Sequence, residues 1–134
     1  CIVLIELYLL ATLLGDVVFP RGQWLGITGV LLAGTVPFAA LGLAIGTWVS
    51  GKGAPAVVNL LYLPMAFLSG LWIPITLLPD FLQSFALVLP PFHLSQLALA
   101  VAGLHMGYPL PLHVAVLALV TVVCLGIAAR GYGR

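Results

Sequence analysis

Charged side chains are scarce in this 134-residue sequence, in which Asp, Glu, Lys and Arg together make up 5%. Soluble domains carry about 25% charged and about 45–50% apolar residues, whereas this chain is 63% hydrophobic with a mean hydropathy of +1.30. So few charges cannot cover the surface of a globule of this size. A water-soluble fold is therefore excluded, and we expect lipid to surround most of the chain.

Basic clusters and repeated cysteines are also missing. The net charge is +1 and no run of Lys or Arg occurs, which excludes an electrostatic footprint for nucleic acid. Cys1 and Cys124 lie far apart, so neither a disulfide framework nor a metal-ligand spacing is visible. The start at Cys1 has neither the basic segment nor the cleavage site of a signal peptide, and we expect the C-terminal part of a longer protein.

Long uncharged runs dominate what is present. Inside a bilayer every backbone polar group must pair within the chain, so such runs form helices of about 20 residues. The runs predict a truncated first span at 1–14, spans at 25–49 and 56–78, and a last span at 112–129. The expected fold is an all-α, polytopic membrane helix bundle with about four spans, forming a single transmembrane domain over 1–134.

Prolines and glycines break the chain between the third and last spans. We predict that the third helix kinks or ends within about one turn of Gly70, because Pro74 removes a backbone donor and Gly70 adds freedom. Asp80 is a candidate cap for a helix over 81–89, and a second helix is predicted over 92–104. Both are too short to cross, so they should be re-entrant or interfacial.

The few basic residues predict the orientation of the spans. Lys and Arg near span ends favour the cytoplasm. The predicted layout places Lys52, Arg130 and Arg134 on one side, and Asp16, Arg21 and Asp80 on the other. We therefore expect a cytoplasmic C-terminus and an external excursion between residues 79 and 111.

Motifs for catalysis and for ligand binding are weak. Residues 46–53 match the Gly and Lys spacing of a P-loop, but Gly53 replaces the Ser or Thr and the run follows a helix instead of a strand. His93, His105 and His113 lack the i, i+4 spacing of a metal site, which favours interfacial polar residues. No catalytic, cofactor or metal site is predicted.

Polar residues within the apolar runs are candidates for a transport path. Glu6 is costly inside an apolar helix, and it either lines a path, bonds to another span or lies near the interface. Asn59, Tyr62, Ala66 and Ser69 share one face of the third span. We expect this face to contact protein or water instead of lipid.

Small residues form a stripe along the second span. The stripe consists of Thr28, Thr35, Ala39, Gly42 and Gly46, of which the last two form a GxxxG step. Such stripes let helices approach closely. Contact with another subunit and packing against a neighbouring helix of the same chain both remain open.

One segment resembles a known family. Residues 67–79 read Phe-Leu-Ser-Gly-Leu-Trp-Ile-Pro-Ile-Thr-Leu-Leu-Pro, and Phe-Leu-Gln at 81–83 and Leu-Pro-Pro-Phe-His at 89–93 follow. This series resembles the C-terminal half of a type-2 ABC exporter permease. Residues 40–46 and the short basic loop at Lys52 resemble the fourth span and inner turn of that family. The likeness covers nearly the whole chain.

The resemblance implies a homodimeric or pseudo-dimeric membrane domain that works with an ATP-binding cassette subunit in the bacterial cytoplasmic membrane. It implies export of lipids, glycans, drugs or similar amphiphiles, with ATP on the partner and no cofactor in this chain. The first two spans and the coupling segment of the family have no counterpart here, so we expect no transport by this chain alone.

Residues 70–91 resemble the gate that closes the exit in that family. Seven residues are therefore candidates for a path or gate: Glu6, Asn59, Tyr62, Ser69, Gly70, Pro74 and Pro79. A membrane scaffold that transports nothing is the alternative function, and an intramembrane enzyme is the weakest one.

Overall fold

All regular structure in the described part of the chain is helical. A computed structural model describes residues 2–14, 20–49, 51–70, 72–73, 75–104, 107 and 109–133. The helices are α1 (Ile2–Leu14), α2 (Arg21–Trp48), α3 (Ala54–Leu68), α4 (Asp80–Ala86), α5 (Pro90–Val101) and α6 (Leu110–Tyr132), with a 3-10 helix at Ile75–Leu77. The predicted all-α membrane helix bundle is confirmed.

Two of these helices are long and apolar enough to cross a bilayer. They are α2, with 28 residues, and α6, with 23. The 15 residues of α3 extend about 22 Å, less than the hydrocarbon thickness of about 30 Å, and α1 has 13 residues. The described helices supply two full-length crossings, or three if α4 and α5 count as one broken span.

The contact between α2 and α6 forms the core. Four small buried side chains make it: Ala40, Ala44, Cys124 and Ala128. Small side chains let the two backbones approach closely, and dispersion contacts then hold the helices together in lipid. Further along, the Trp48 indole Nε1 donates to the Ile127 carbonyl at 3.1 Å. Residue numbers rise in the same direction along both helices, so α2 and α6 are parallel.

The two parallel helices end on the same side of the bundle. The backbone of Gly131 lies against Thr47 and Trp48, which places Arg130 of α6 at the end from which Lys52 follows α2. The described chain therefore groups Lys52 and Arg130 at one end, as the charge pattern predicts. Which side of the membrane this end faces stays a prediction.

The third helix ends within one turn of Gly70, as predicted. The Ser69 N–H donates to the Met65 carbonyl at 3.0 Å, and the Ser69 hydroxyl donates to the Ala66 carbonyl at 3.0 Å. Gly70 then takes a φ of +82°, which glycine adopts at little steric cost. The helix continues through Pro64 before this turn, and Pro74 lies outside the described residues.

Asp80 is not the cap that the sequence predicted. Pro79 occupies the cap position of α4 with φ −55° and ψ 149°, and no side chain bonds to the free amides there. The fixed φ of proline already sets the entry into the helix, and Asp80 becomes its first residue. The helix ends at Ala86 instead of 89, because Pro90 favours extended backbone at Leu89 and itself begins α5.

The other helices also differ from the predicted spans at their ends. α2 begins four residues earlier than predicted, after Pro20, and α6 runs from Leu110 to Tyr132 instead of over 112–129. Prolines that precede both helices have extended ψ angles and start them outside the apolar run. The apolar run indicates only the part of a helix that faces lipid, and each helix begins before that run.

Candidate functional site

Two short helices, α4 and α5, form a bent pair, of which α5 lies in the half of the bundle away from Lys52. The axes of α4 and α5 meet at 84° across residues 87–89. α5 packs on α2, where Gly26 faces Val101 and Gly34 faces Leu94, and it also contacts α6. A Cβ at Gly34 would collide with the Leu94 side chain, so glycine permits this close approach. The pair has the form of a broken span or a re-entrant loop, as the sequence predicts.

Two buried histidines join α5 to α6. The Nδ1 atoms of His93 and His113 are 2.8 Å apart, and each residue is 1% exposed. The Phe92 ring lies edge-on to both imidazoles, with centroid distances of 5.4 and 6.1 Å. The interpretation of His93 and His113 as interfacial polar residues is therefore corrected, because both are enclosed by protein. His105 lies outside the described residues.

The hydrogen-bond geometry assigns the protons of this pair. His93 Nε2 lies 2.8 Å from the Leu87 carbonyl oxygen, which can only accept, so this nitrogen carries a hydrogen. In neutral His93 the Nδ1 atom is then an acceptor, and His113 Nδ1 donates to it. A chain of two hydrogen bonds thus runs from α6 through α5 to the elbow after α4. A hydrogen on His93 Nδ1 would break this chain, because that nitrogen could then no longer accept from His113.

Gln96 adds an unsatisfied polar group on α5, three residues beyond His93. The residue is 4% exposed, and its side-chain oxygen Oε1 has no hydrogen-bond partner in the described part of the chain. Leaving such an acceptor buried and unpaired costs about 1–3 kcal/mol. Because native proteins contain few such groups, Gln96 is a candidate functional residue.

A cavity of about 480 Å³ opens between α2, α3 and α5. Six lining residues define its walls: Leu31, Phe38, Tyr62, Leu94, Ser95 and Ala98. The volume is in the range of small-molecule sites. The Ser95 hydroxyl donates to the Phe92 carbonyl at 2.7 Å and keeps its lone pairs as acceptors. The Tyr62 hydroxyl makes no hydrogen bond to another described residue. We call this space the α2/α3/α5 cavity.

The structure brings together some of the residues predicted for a path or gate. Tyr62 and Gly70 both line the α2/α3/α5 cavity, and Ser69 is buried beside Gly70. Pro74 lies outside the described residues. Three others are exposed and lie outside the lining of this cavity: Glu6, Asn59 and Pro79. The transport role of all seven residues stays a prediction.

The small-residue stripe of α2 is largely open within the described chain. A Cβ added at Gly42 or at Gly46 would meet no atom within 4 Å. Thr35 is exposed, and its hydroxyl donates to the Leu32 carbonyl of its own helix. α2 instead contacts α6 through its Ala40 and Ala44 face.

The P-loop-like run lies at the end of a helix. α2 ends at Trp48, and residues 51–53 form a turn that leads directly into α3. The strand that precedes a phosphate-binding loop has no equivalent in this described segment. Among the described residues, no three His, Cys, Asp or Glu side chains converge as a metal site needs.

Sequence reasoning missed the contact between the two histidines because it considered spacing within one helix. The available signal was their position relative to helix starts. His93 and His113 are each the fourth residue of a helix that begins at or just after a proline. Gly26 faces Val101 and Gly34 faces Leu94, so α5 runs antiparallel to α2 and therefore to α6. The position at the helix starts marks the two histidines, but only the packing of these antiparallel helices brings them together.

The chain is similar to one bacterial protein that is named as a transport permease. Over 87 residues it is 31% identical to the Bacillus subtilis (strain 168) protein named "Putative transport permease YvfS", in a match that covers 65% of this chain. The chain spans 36% of the length of that relative. No protein-family model and no solved structure matches the chain. Together with the membrane helix bundle, this similarity supports a membrane transport permease.

Proposed function

We propose that this chain is a membrane-embedded part of an ATP-driven exporter permease. The bent pair α4–α5, whose second helix packs against α2 and α6, carries the proposal. The order of a long span, a span that ends early, two short outer helices and a last long span is the order that the type-2 exporter resemblance implies. The similarity to a transport permease supports the same class of function.

The proposed exporter takes its energy from a separate ATP-binding cassette subunit. ATP binds there, and this chain pairs with a second permease domain to enclose a path for lipids, glycans, drugs or similar amphiphiles. The chain has no catalytic role of its own. Transport proceeds by alternating access, in which the enclosed path opens to one side of the membrane at a time.

The orientation follows the distribution of basic residues. Lys52, Arg130 and Arg134 face the cytoplasm of a bacterial cell, and the bent pair faces outward. The parallel arrangement of α2 and α6 supports this orientation, because it gathers Lys52 and Arg130 at one end of the bundle and α5 at the other.

The bent pair serves as the outer gate in this proposal. Leu87, at the elbow, is bonded to His93, which is bonded to His113 on the last span. A displacement of α6 therefore either carries the elbow with it or breaks a buried hydrogen bond. Discrete alternatives of this kind give a gate two positions instead of a continuous range.

A membrane scaffold is the second candidate function. The open Gly42 and Gly46 face of α2 favours it, because small residues at helical spacing form close contacts with other membrane helices. A scaffold would hold partner proteins without moving any substrate.

Copurification and transport together test the proposal. The tagged chain is purified from membranes of its own host. The ATP-binding cassette subunit that copurifies with the chain is then reconstituted in vesicles, together with the chain and the second permease domain. We expect ATP-dependent movement of a fluorescent, uncharged lipid, impaired export after Pro79→Ala, and partner binding that remains. The scaffold would be supported if other membrane proteins but no ATPase copurified with the chain, and if lipid movement were unchanged when the chain was omitted.

A further inference from the structure

The α2/α3/α5 cavity is apolar along its walls and carries two uncharged hydroxyl groups. Leu31 and Phe38 line it from α2, and Leu94 lines it from α5. The hydroxyls belong to Tyr62 on α3 and to Ser95 on α5. A space with apolar walls and few polar groups binds ligands that bury hydrocarbon and make few directed hydrogen bonds.

The two hydroxyl groups have complementary hydrogen-bonding capacity. Ser95 donates its hydrogen to the Phe92 carbonyl, so its free lone pairs can only accept. Tyr62 is 49% exposed and has a hydroxyl hydrogen that no described residue accepts. A ligand that carries hydroxyl groups can therefore donate a hydrogen to Ser95 and accept one from Tyr62.

The charge of the lining selects against ionic head groups. None of the described lining residues is Asp, Glu, Lys, Arg or His. A carboxylate, phosphate or ammonium in this space would lose hydration without gaining an opposite charge, which is costly. Uncharged head groups avoid that cost.

A narrower groove continues from this cavity along the contact between α2 and α3. The groove has a volume of about 180 Å³ and shares Phe38 and Tyr62 with the cavity. Gly42 lies in its floor, where no side chain fills the space. An elongated ligand can place a polar head beside Ser95 and extend its hydrocarbon chain past Phe38 into the groove.

From these observations we infer that the α2/α3/α5 cavity binds a single-chain, uncharged amphiphile with a hydroxylated head, of the monoacylglycerol class. The inference deepens the proposed export function by naming a class of ligand. Binding itself needs neither an ATPase nor transport, so it can be tested separately.

Photolabelling with a defined lipid tests the site. The purified protein in phosphatidylcholine nanodiscs is labelled with a diazirine-tagged monoacylglycerol, and the labelled residues are located by mass spectrometry. We expect saturable labelling on α3 and α5 that excess untagged monoacylglycerol removes. The fatty acid anion of equal chain length should compete at least tenfold less well. Non-saturable labelling over all exposed helices, or equal competition by the anion, would overturn the inference.

Matched variants locate the binding groups. Tyr62→Phe and Ser95→Ala should each weaken binding of the monoacylglycerol about three- to tenfold, since each removes one hydrogen-bonding group. Ala98→Leu fills the cavity and should abolish saturable labelling. The control is Ala118→Leu, which adds the same volume to a groove between α2, α5 and α6 that is lined by neither Tyr62 nor Ser95. Equal effects of Ala98→Leu and Ala118→Leu would refute the site. Circular dichroism confirms that each variant is folded.

The outcome can be separated from that of the export proposal. If no ATPase associates with the chain but labelling remains saturable and sensitive to Ala98→Leu, the binding inference stands and export fails. If export is measured while labelling is not saturable, the export proposal stands and the binding inference fails.

Discussion

His93 and His113 share one hydrogen bond, 2.8 Å from Nδ1 to Nδ1, across the contact between α5 and α6. The bond joins residues 20 positions apart, and the second nitrogen of His93 extends it to the Leu87 carbonyl. Both imidazoles are buried, and His113 Nδ1 donates the hydrogen that His93 Nδ1 accepts. The pair therefore functions as one unit in stability.

We expect His93→Ala and His113→Ala each to destabilise the protein by about 1–3 kcal/mol, because each leaves a buried polar group unpaired. The double variant should cost less than the sum of the single ones, since the orphaned group is then absent. Thermal unfolding in detergent, followed by circular dichroism, measures the three values. Thr35→Ala, at an exposed position, is the control. Additive losses would contradict a direct bond between the histidines.

Gln96→Leu should raise the melting temperature. The substitution removes a buried oxygen that has no hydrogen-bond partner among the described residues, at little cost in volume. The matched control is Gln83→Leu, which deletes a donor that bonds to the Leu78 carbonyl at 2.7 Å and should lower the melting temperature. A lower melting temperature for Gln96→Leu would show that this side chain has a stabilising partner.

Gly131→Val should separate the ends of α2 and α6. A Cβ at this position would lie 2.7 Å from the Thr47 Cβ and 2.9 Å from the Trp48 Nε1, so the helices must move apart. Spin labels at positions 52 and 130, in a background without Cys1 and Cys124, report the distance. Gly126→Val is the control, because a Cβ there meets no atom within 4 Å. Equal distances in both variants would argue against this contact.

Single cysteines at positions 52, 80 and 130 test the orientation. In membrane vesicles of known sidedness, an impermeant thiol reagent should label positions 52 and 130 from the cytoplasmic side. Position 80 should be labelled from the opposite side, because the distribution of Lys and Arg predicts an external segment there. Labelling of positions 52 and 80 from one side would refute this topology.

Local chemistry made much of the fold predictable. The absence of charge between residues 25 and 49 predicts a spanning helix, since lipid leaves the backbone no other way to pair its polar groups. The turn at Gly70 was predictable from its position between Ser69 and the prolines that follow. The two short helices were predictable because Pro90 and Pro91 divide an apolar run that is otherwise uninterrupted.

The candidate site was less predictable because it depends on contacts between distant segments. His93 and His113 belong to different helices, and nothing in their local sequence indicates that their side chains meet between those helices. Asp80 is a residue type that often caps helices, but Pro79 already fixed the start of α4. Tyr62 and Gly70 were selected for separate reasons, and only the packing of α5 places them around one cavity.

Lipids around the bundle meet helices of different length. Beside α2 they face about 42 Å of helix, and beside α3 about 22 Å. A hydrocarbon layer about 30 Å thick exceeds α3 by about 8 Å, and such mismatch thins the neighbouring bilayer at a cost of a fraction of a kcal/mol per Å. Head groups beside α3 are therefore drawn toward the level of Gly70. Beside α3, a lipid therefore has the shortest route between the bilayer interior and the membrane surface.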